Sequence, residues 1–114
     1  MKKNKIFHKI TINILAIFLL FFCISCEEPV EIISIFPMPI QDIATVTYSI
    51  GMEGNCNFQI LDLQGNIVLQ IFNERQYEGT YQKQFNIQHL QTGVYFLRIQ
   101  FESQYYTTEK IIKQ

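Results

Sequence analysis

Side chains that could act as nucleophiles, general bases or metal ligands are few in this sequence of 114 residues. It contains three cysteines and two histidines, and His89 is the only histidine beyond the apolar N-terminal run. We find no Gly-x-Ser-x-Gly turn, glycine-rich phosphate loop or calcium loop. The acids beyond Glu31 are too scattered to predict a carboxylate pair or a metal cluster. The sequence therefore predicts a protein that is not an enzyme, with no cofactor, metal or evident small-molecule substrate.

Cys26 is the cysteine whose surroundings indicate a specific chemistry. Lys2 to Lys9 form a positively charged start, and the apolar run Ile14 to Ile24 leads directly to Ser25 and Cys26. This pattern is typical of a secretory signal peptide, which would be helical if retained. The run is shorter than the roughly 20 residues that a membrane-spanning helix needs. An uncleaved membrane anchor is the alternative.

The segment from Phe22 to Cys26, with sequence FCISC, resembles a bacterial lipobox, in which a small residue precedes the cysteine to be lipidated. The resemblance implies removal of residues 1–25 and a diacylglycerol attached to Cys26 through a thioether. Residues 26–31 would then be a lipidated cysteine and an acidic spacer that holds the protein at a membrane. Ordinary signal-peptidase cleavage after Ser25 is the rival interpretation.

Charge is distributed unevenly along the chain. The whole sequence has a formal net charge of -1, but from Cys26 onward five basic and ten acidic residues leave a charge of -5. An acidic domain does not suit the phosphate backbone of nucleic acid, so we predict no nucleic-acid partner. Cys56 is the only cysteine after Cys26 and is predicted to be a small buried hydrophobic residue.

Residues 32–114 contain short apolar runs with a period of two, which is typical of β-strands. The seven runs are Ile32–Phe36, Ala44–Ile50, Asn57–Leu63, Ile67–Phe72, Tyr81–Ile87, Gly93–Gln100 and Thr107–Ile112. The glycines lie at or beside the gaps between runs, and the helical crossovers of a parallel sheet are lacking. The sequence therefore predicts an all-β fold, an immunoglobulin-like antiparallel β-sandwich of about seven strands. On this assignment Tyr77, Tyr105 and Tyr106 lie in loops.

Four segments, in order, resemble the type IX secretion system sorting domain, the type A C-terminal sorting domain. IFPMPI at Ile35–Ile40 resembles its aromatic-Pro-Asn-Pro opening, and ILDLQGNIV at Ile60–Val68 resembles its central hairpin. LQTGVYFLRI at Leu90–Ile99 resembles its Leu-x-x-Gly-x-Tyr strand, and TEKIIK at Thr108–Lys113 resembles its basic terminus. Met38 stands where the family usually has Asn.

The resemblance implies an immunoglobulin-like, non-catalytic domain that is read by an outer-membrane translocon. In that family the domain is commonly cleaved off when cargo is released or attached to surface lipopolysaccharide. The residues that match the sorting motifs are Pro37, Pro39, Asp62, Gly65, Gly93, Tyr95, Lys110 and Lys113. The expected partners are translocon components and, through the lipid on Cys26, a membrane. The expected location is the cell envelope, at the outer membrane or cell surface, or secretion from the cell.

A second hypothesis uses the same sandwich for another purpose. A free-standing surface lipoprotein could bind a protein or a glycan through aromatic side chains at one end of the fold. Tyr77, Tyr105 and Tyr106 are the residues that this hypothesis places on such a platform.

Overall fold

The computed structural model describes residues 28–114, so the predicted signal peptide and Cys26 lie outside the described residues. Its seven strands are β1 (Val30–Phe36), β2 (Ile43–Ile50), β3 (Gly54–Leu61), β4 (Ile67–Gln76), β5 (Gly79–Asn86), β6 (Gly93–Phe101) and β7 (Tyr105–Lys113). A three-stranded sheet has the order β1-β2-β5, and a four-stranded sheet has the order β4-β3-β6-β7. All the strand pairs are antiparallel. The predicted all-β sandwich is confirmed. No helix within residues 28–114 is long and apolar enough to cross a membrane.

Alternation along each strand builds the core between the sheets. In β2 the side chains of Val46, Tyr48 and Ile50 are buried, while Thr47 and Ser49 between them are only partly covered. In the facing sheet Phe58 packs edge-on against Tyr48, with ring centroids 4.6 Å apart. Aromatic rings supply large buried areas, which a domain of this size needs for stability.

One hydrogen-bonded pair of polar side chains is buried in this core. The Tyr48 hydroxyl donates a hydrogen bond of 2.8 Å to Oε1 of Gln76, and both residues are buried. Burial raises the pKa of Tyr48 to about 12, so the phenol stays neutral and remains a donor. Because a buried hydroxyl without a partner is costly, Gln76 is a structural residue.

Cys56, the only cysteine within residues 28–114, is buried, which confirms the prediction of a small buried hydrophobic residue. Burial, with a smaller contribution from the charges of Glu102 and Glu74, raises the pKa of its thiol to about 11. The thiol is therefore protonated at neutral pH, and its place in the core is a matter of packing.

The expectation that Tyr105 and Tyr106 lie in a loop is wrong, because β7 begins at Tyr105. The chain turns tightly after β6, where the N–H of Gln104 donates to the carbonyl of Phe101. Both Glu102 and Ser103 have positive φ, at 52° and 60°, which reverses the chain within this short turn. Tyr77 does lie in the connection between β4 and β5.

Candidate functional site

The antiparallel topology brings the residues that resemble the sorting motifs to one end of the sandwich. We call this the motif end, and it comprises the Phe36–Ile43 connection, the Leu61–Ile67 hairpin, the start of β6 and the end of β7. Tyr95 and Lys110 lie slightly further along β6 and β7. The opposite end, which we call the far end, comprises the start of β3, the end of β4 and the Phe101–Tyr105 turn.

The Pro37–Pro39 segment is joined to the end of the last strand. Ile40 forms a parallel bridge with Lys113. The Ile40 N–H donates to the Ile112 carbonyl at 2.7 Å, and the Gln114 N–H donates to the Ile40 carbonyl at 2.8 Å. Since Ile40 is fully buried, these bonds are protected from water. The connection after β1 and the end of β7, remote in sequence, thus form one hydrogen-bonded unit.

Met38 extends this connection with its side chain. Its Sδ accepts the backbone N–H of Ile112 at 3.4 Å. The thioether therefore bonds a backbone N–H at the edge of β7 that makes no hydrogen bond to Ile40. Beside it lies a groove of about 300 Å³ between the edges of β1 and β7, with Met38, Ile35 and Lys110 among its lining residues.

Asp62 holds the β3–β4 hairpin in shape. Its Oδ1 accepts the backbone N–H groups of Gln64 and Asn66, both at 2.9 Å, and its Oδ2 accepts the Asn66 amide at 3.3 Å. These bonds, led by the one from the Asn66 backbone, lower the pKa of Asp62 below its usual value. Gly65 adopts a left-handed φ of 87°, as the turn requires. The Asp62 carboxylate is thus already occupied within its own turn.

Two further motif residues also have structural partners. The Tyr95 hydroxyl donates to the Gln91 carbonyl at 2.7 Å and ties the preceding loop to β6. Lys113 is only 8% exposed, and its Nζ donates to the Gln114 carbonyl at 2.8 Å. Gly93 opens β6 opposite Lys113. Of the eight motif residues, those whose surface is exposed are Pro37, Pro39, Gly65 and Lys110.

The motif end also exposes apolar residues, most of them inside the motif segments, although none is a predicted site residue. Phe36 is 75% exposed and Ile43 is 50% exposed, and they flank the proline segment. Leu63 and Ile67, at the hairpin, are also exposed. Sequence alternation could not identify them, because residues near strand ends follow no reliable inward or outward pattern.

Elsewhere the structure offers little for catalysis. A larger depression at the far end, of about 660 Å³, is lined partly by the carboxylates of Glu28, Glu31 and Glu78. Within residues 28–114 no group of His, Cys, Asp and Glu side chains is arranged to hold a metal ion. His89 is exposed in the connection between β5 and β6.

Comparison with solved structures gives a likeness of fold. The chain is similar to part of the protein described as dimeric latent PorU from Porphyromonas gingivalis, in its crystal structure, with 20% sequence identity and a TM-score of 0.58. The similarity covers 74% of this chain and 9% of that one, so the chain spans a small part of that protein. No curated protein matches this chain.

A family model gives the more specific result. The model described as the secretion system C-terminal sorting domain matches residues 34–114. This range includes the strand ends and the connections that form the motif end. The match extends over most of the sequence, and secretion sorting is the role of that family. The chain therefore belongs to the family of secretion system C-terminal sorting domains.

Proposed function

We propose that this domain is a non-catalytic sorting signal that a type IX-like outer-membrane translocon recognises at the motif end. The observation that carries the proposal is the bridge between Ile40 and Lys113, with its two backbone hydrogen bonds. It makes the proline segment and the last strand a single surface, which exists only when the whole domain has folded. A translocon that reads this surface would accept folded domains and reject partly folded ones.

The exposed residues of the motif end fit a contact with another protein. Phe36, Ile43 and Leu63 expose half or more of their surface, and Lys110 adds a positive charge beside the groove. Large apolar side chains exposed together mark interaction sites more often than they mark random surface. The remaining motif residues with polar side chains, Asp62, Tyr95 and Lys113, act by holding this surface in shape.

The sorting role is tested by export of a reporter. Residues 28–114 are fused behind a periplasmic reporter in a host that has the type IX system and in the same host without its translocon. We expect the reporter outside the outer membrane only in the first host. Retention in the periplasm of both hosts would contradict the proposal, and a reporter without the domain controls for leakage.

We further propose that the chain reaches the envelope as a lipoprotein, with a signal peptide at residues 1–25 and a lipid on Cys26. The support is the FCISC sequence at the end of the apolar run. Acyl chains contribute about 0.8 kcal/mol for each buried methylene, so several chains give a lasting anchor. Cells grown with a fatty-acid analogue should label the wild-type chain and not the Cys26→Ala variant. Label that persists in this variant would exclude Cys26 as the lipidation site.

A further inference from the structure

The outer face of the four-stranded sheet carries an unusual set of side chains. Strand registers place Asn73, Asn57 and Gln100 in one row across β4, β3 and β6, and Gln70, Gln59 and Arg98 in the next row. We call these six residues the amide face. Tyr106 on β7 continues the first row, opposite Gln100. Five of the six residues carry a carboxamide, and Arg98 carries the only formal charge.

Hydrogen bonds hold part of this face in a fixed arrangement. Gln59 is only 5% exposed, and its Oε1 accepts Nε and Nη2 of Arg98 at 3.2 and 2.7 Å. The Gln70 amide donates to Oδ1 of Asn57 and to the backbone carbonyls of Phe58 and Phe72. Side chains that are already ordered lose little further conformational freedom when a ligand binds.

Tyr106 adds an aromatic ring at the edge of the amide face. Its side chain is 62% exposed, and the Arg98 guanidinium carbon lies 5.8 Å from the centre of its ring. A tyrosine ring is a rigid, amphipathic contact that loses little entropy on binding. It offers an apolar plane beside a surface rich in hydrogen-bond donors and acceptors.

From this arrangement we infer that the amide face and Tyr106 bind an extended, neutral oligosaccharide. The carboxamides that reach the surface and the guanidinium match sugar hydroxyls, which both donate and accept, while the buried Gln59 positions Arg98. The tyrosine ring matches the apolar C–H face of a pyranose. Neighbouring strands are about 4.8 Å apart, close to the length of one sugar unit in an extended chain, so successive units meet equivalent positions on successive strands.

Other classes of ligand fit this surface less well. A protein interface has an apolar centre, whereas the six residues of the amide face include no apolar side chain. Nucleic acid requires several cations, and Arg98 is the only one among the six. The proposal is independent of sorting, because the amide face and the proline segment are separate surfaces.

The test is titration calorimetry of the full chain, in detergent, with cellohexaose and chitohexaose as neutral extended probes. We expect at least one probe to bind, and we expect Tyr106→Ala to weaken binding by about tenfold while Tyr106→Phe, which keeps the ring, stays within about twofold. Gln100→Ala, in the same row, should also weaken binding. Tyr77→Ala is the matched control, since Tyr77 is 66% exposed but lies off the amide face.

Several results would overturn the inference. One is the absence of binding by both probes at millimolar concentration. Another is equal binding by wild type, Tyr106→Ala and Gln100→Ala, or an equal loss in Tyr77→Ala. Sedimentation that shows a dimer dissociated by Tyr106→Ala would assign the face to a second copy of the chain instead.

Discussion

The far end and the motif end of the sandwich are completed in different ways. At the far end, the Glu102 N–H donates to the Asn55 carbonyl at 2.9 Å, and Oε1 of Glu102 accepts the Asn55 N–H at 2.9 Å. Arg75 forms ion pairs with two acids: its Nε lies 2.9 Å from Oε1 of Glu53, and its Nη1 lies 3.7 Å from Oε1 of Glu102. At the motif end, the chain terminus and a proline segment meet beside exposed apolar residues such as Phe36.

This difference indicates a division of tasks. The contacts of the far end are with other parts of the same domain, and they close the ends of three strands. The far end exposes Met52 and Tyr77, whereas the motif end exposes a larger apolar group that includes Phe36, Ile43 and Leu63. Apolar surface left in water adds nothing to the stability of the isolated domain. We therefore interpret the far end as support for the fold and the motif end as the surface that a partner reads.

The largest effect on stability is expected from Gly54→Ala at the far end. A Cβ at this buried position would overlap the ring of Phe101 and would lie 2.9 Å from Oε1 of Glu102. Overpacking of this kind costs about 1–3 kcal/mol. Urea denaturation should show the loss in the free energy of unfolding. Unchanged stability would mean that the far end is not closely packed.

Gly65→Ala tests the motif end in the same way and should cost less. A Cβ here meets no atom within 4 Å, so only the φ of 87° opposes it. An alanine in this conformation costs about 1 kcal/mol. Gly65→Asn should cost less than Gly65→Ala in the same denaturation experiment, because Asn tolerates left-handed backbone. An alanine variant less stable than Gly54→Ala would reverse the comparison between the ends.

Ser103→Gly should stabilise the far end slightly. Glu102 and Ser103 both have positive φ, which is unfavourable for residues with a Cβ. Glycine relieves this strain, although it also increases the freedom of the unfolded chain, so we expect a gain of about 0.5 kcal/mol. A thermal melt should show a small rise in Tm. A fall in Tm would show that the serine side chain supports the turn.

The smallest effect concerns pH and the Asp62 hairpin. The folded state lowers the pKa of Asp62, so its contribution to stability is present above the unfolded pKa, near 3.9, and is lost as pH falls through the folded value. When the pH is lowered from 7 into the acid range, the Tm of wild type should fall slightly further than that of Asp62→Asn, which has no carboxylate at this position to protonate. Equal falls in Tm would show that the Asp62 carboxylate does not stabilise the hairpin.

Much of the fold could be predicted from the sequence, because two-residue alternation and glycine turns are local signals. Runs such as Ala44–Ile50 and Gly93–Gln100 correspond closely to β2 and β6. The turn before Tyr105 could not be predicted in this way. It uses positive φ at Glu102 and Ser103, where turn rules expect Gly or Asn.

The motif residues could be named from the sequence, but the partners of their side chains could not. The motifs pointed to Asp62, Tyr95 and Lys113 as recognition residues, whereas their polar groups have partners within the domain. The bridge of Ile40 to the last strand had no local signal at all, since it depends on two segments remote in sequence. Long-range pairing of this kind is decided by the packing of the whole domain.

The most direct test of the central claim compares two single-lysine variants of the exported reporter fusion. Lys110 is exposed beside the Met38 groove, whereas Lys83 on β5 pairs with Glu74 at 3.0 Å, away from that groove. Both substitutions to alanine remove one positive charge from a side chain at least partly in water, so stability should change little. The account predicts that Lys110→Ala reduces the reporter outside the outer membrane while Lys83→Ala leaves it unchanged. Equal export by both variants, with both domains folded, would contradict recognition at the motif end.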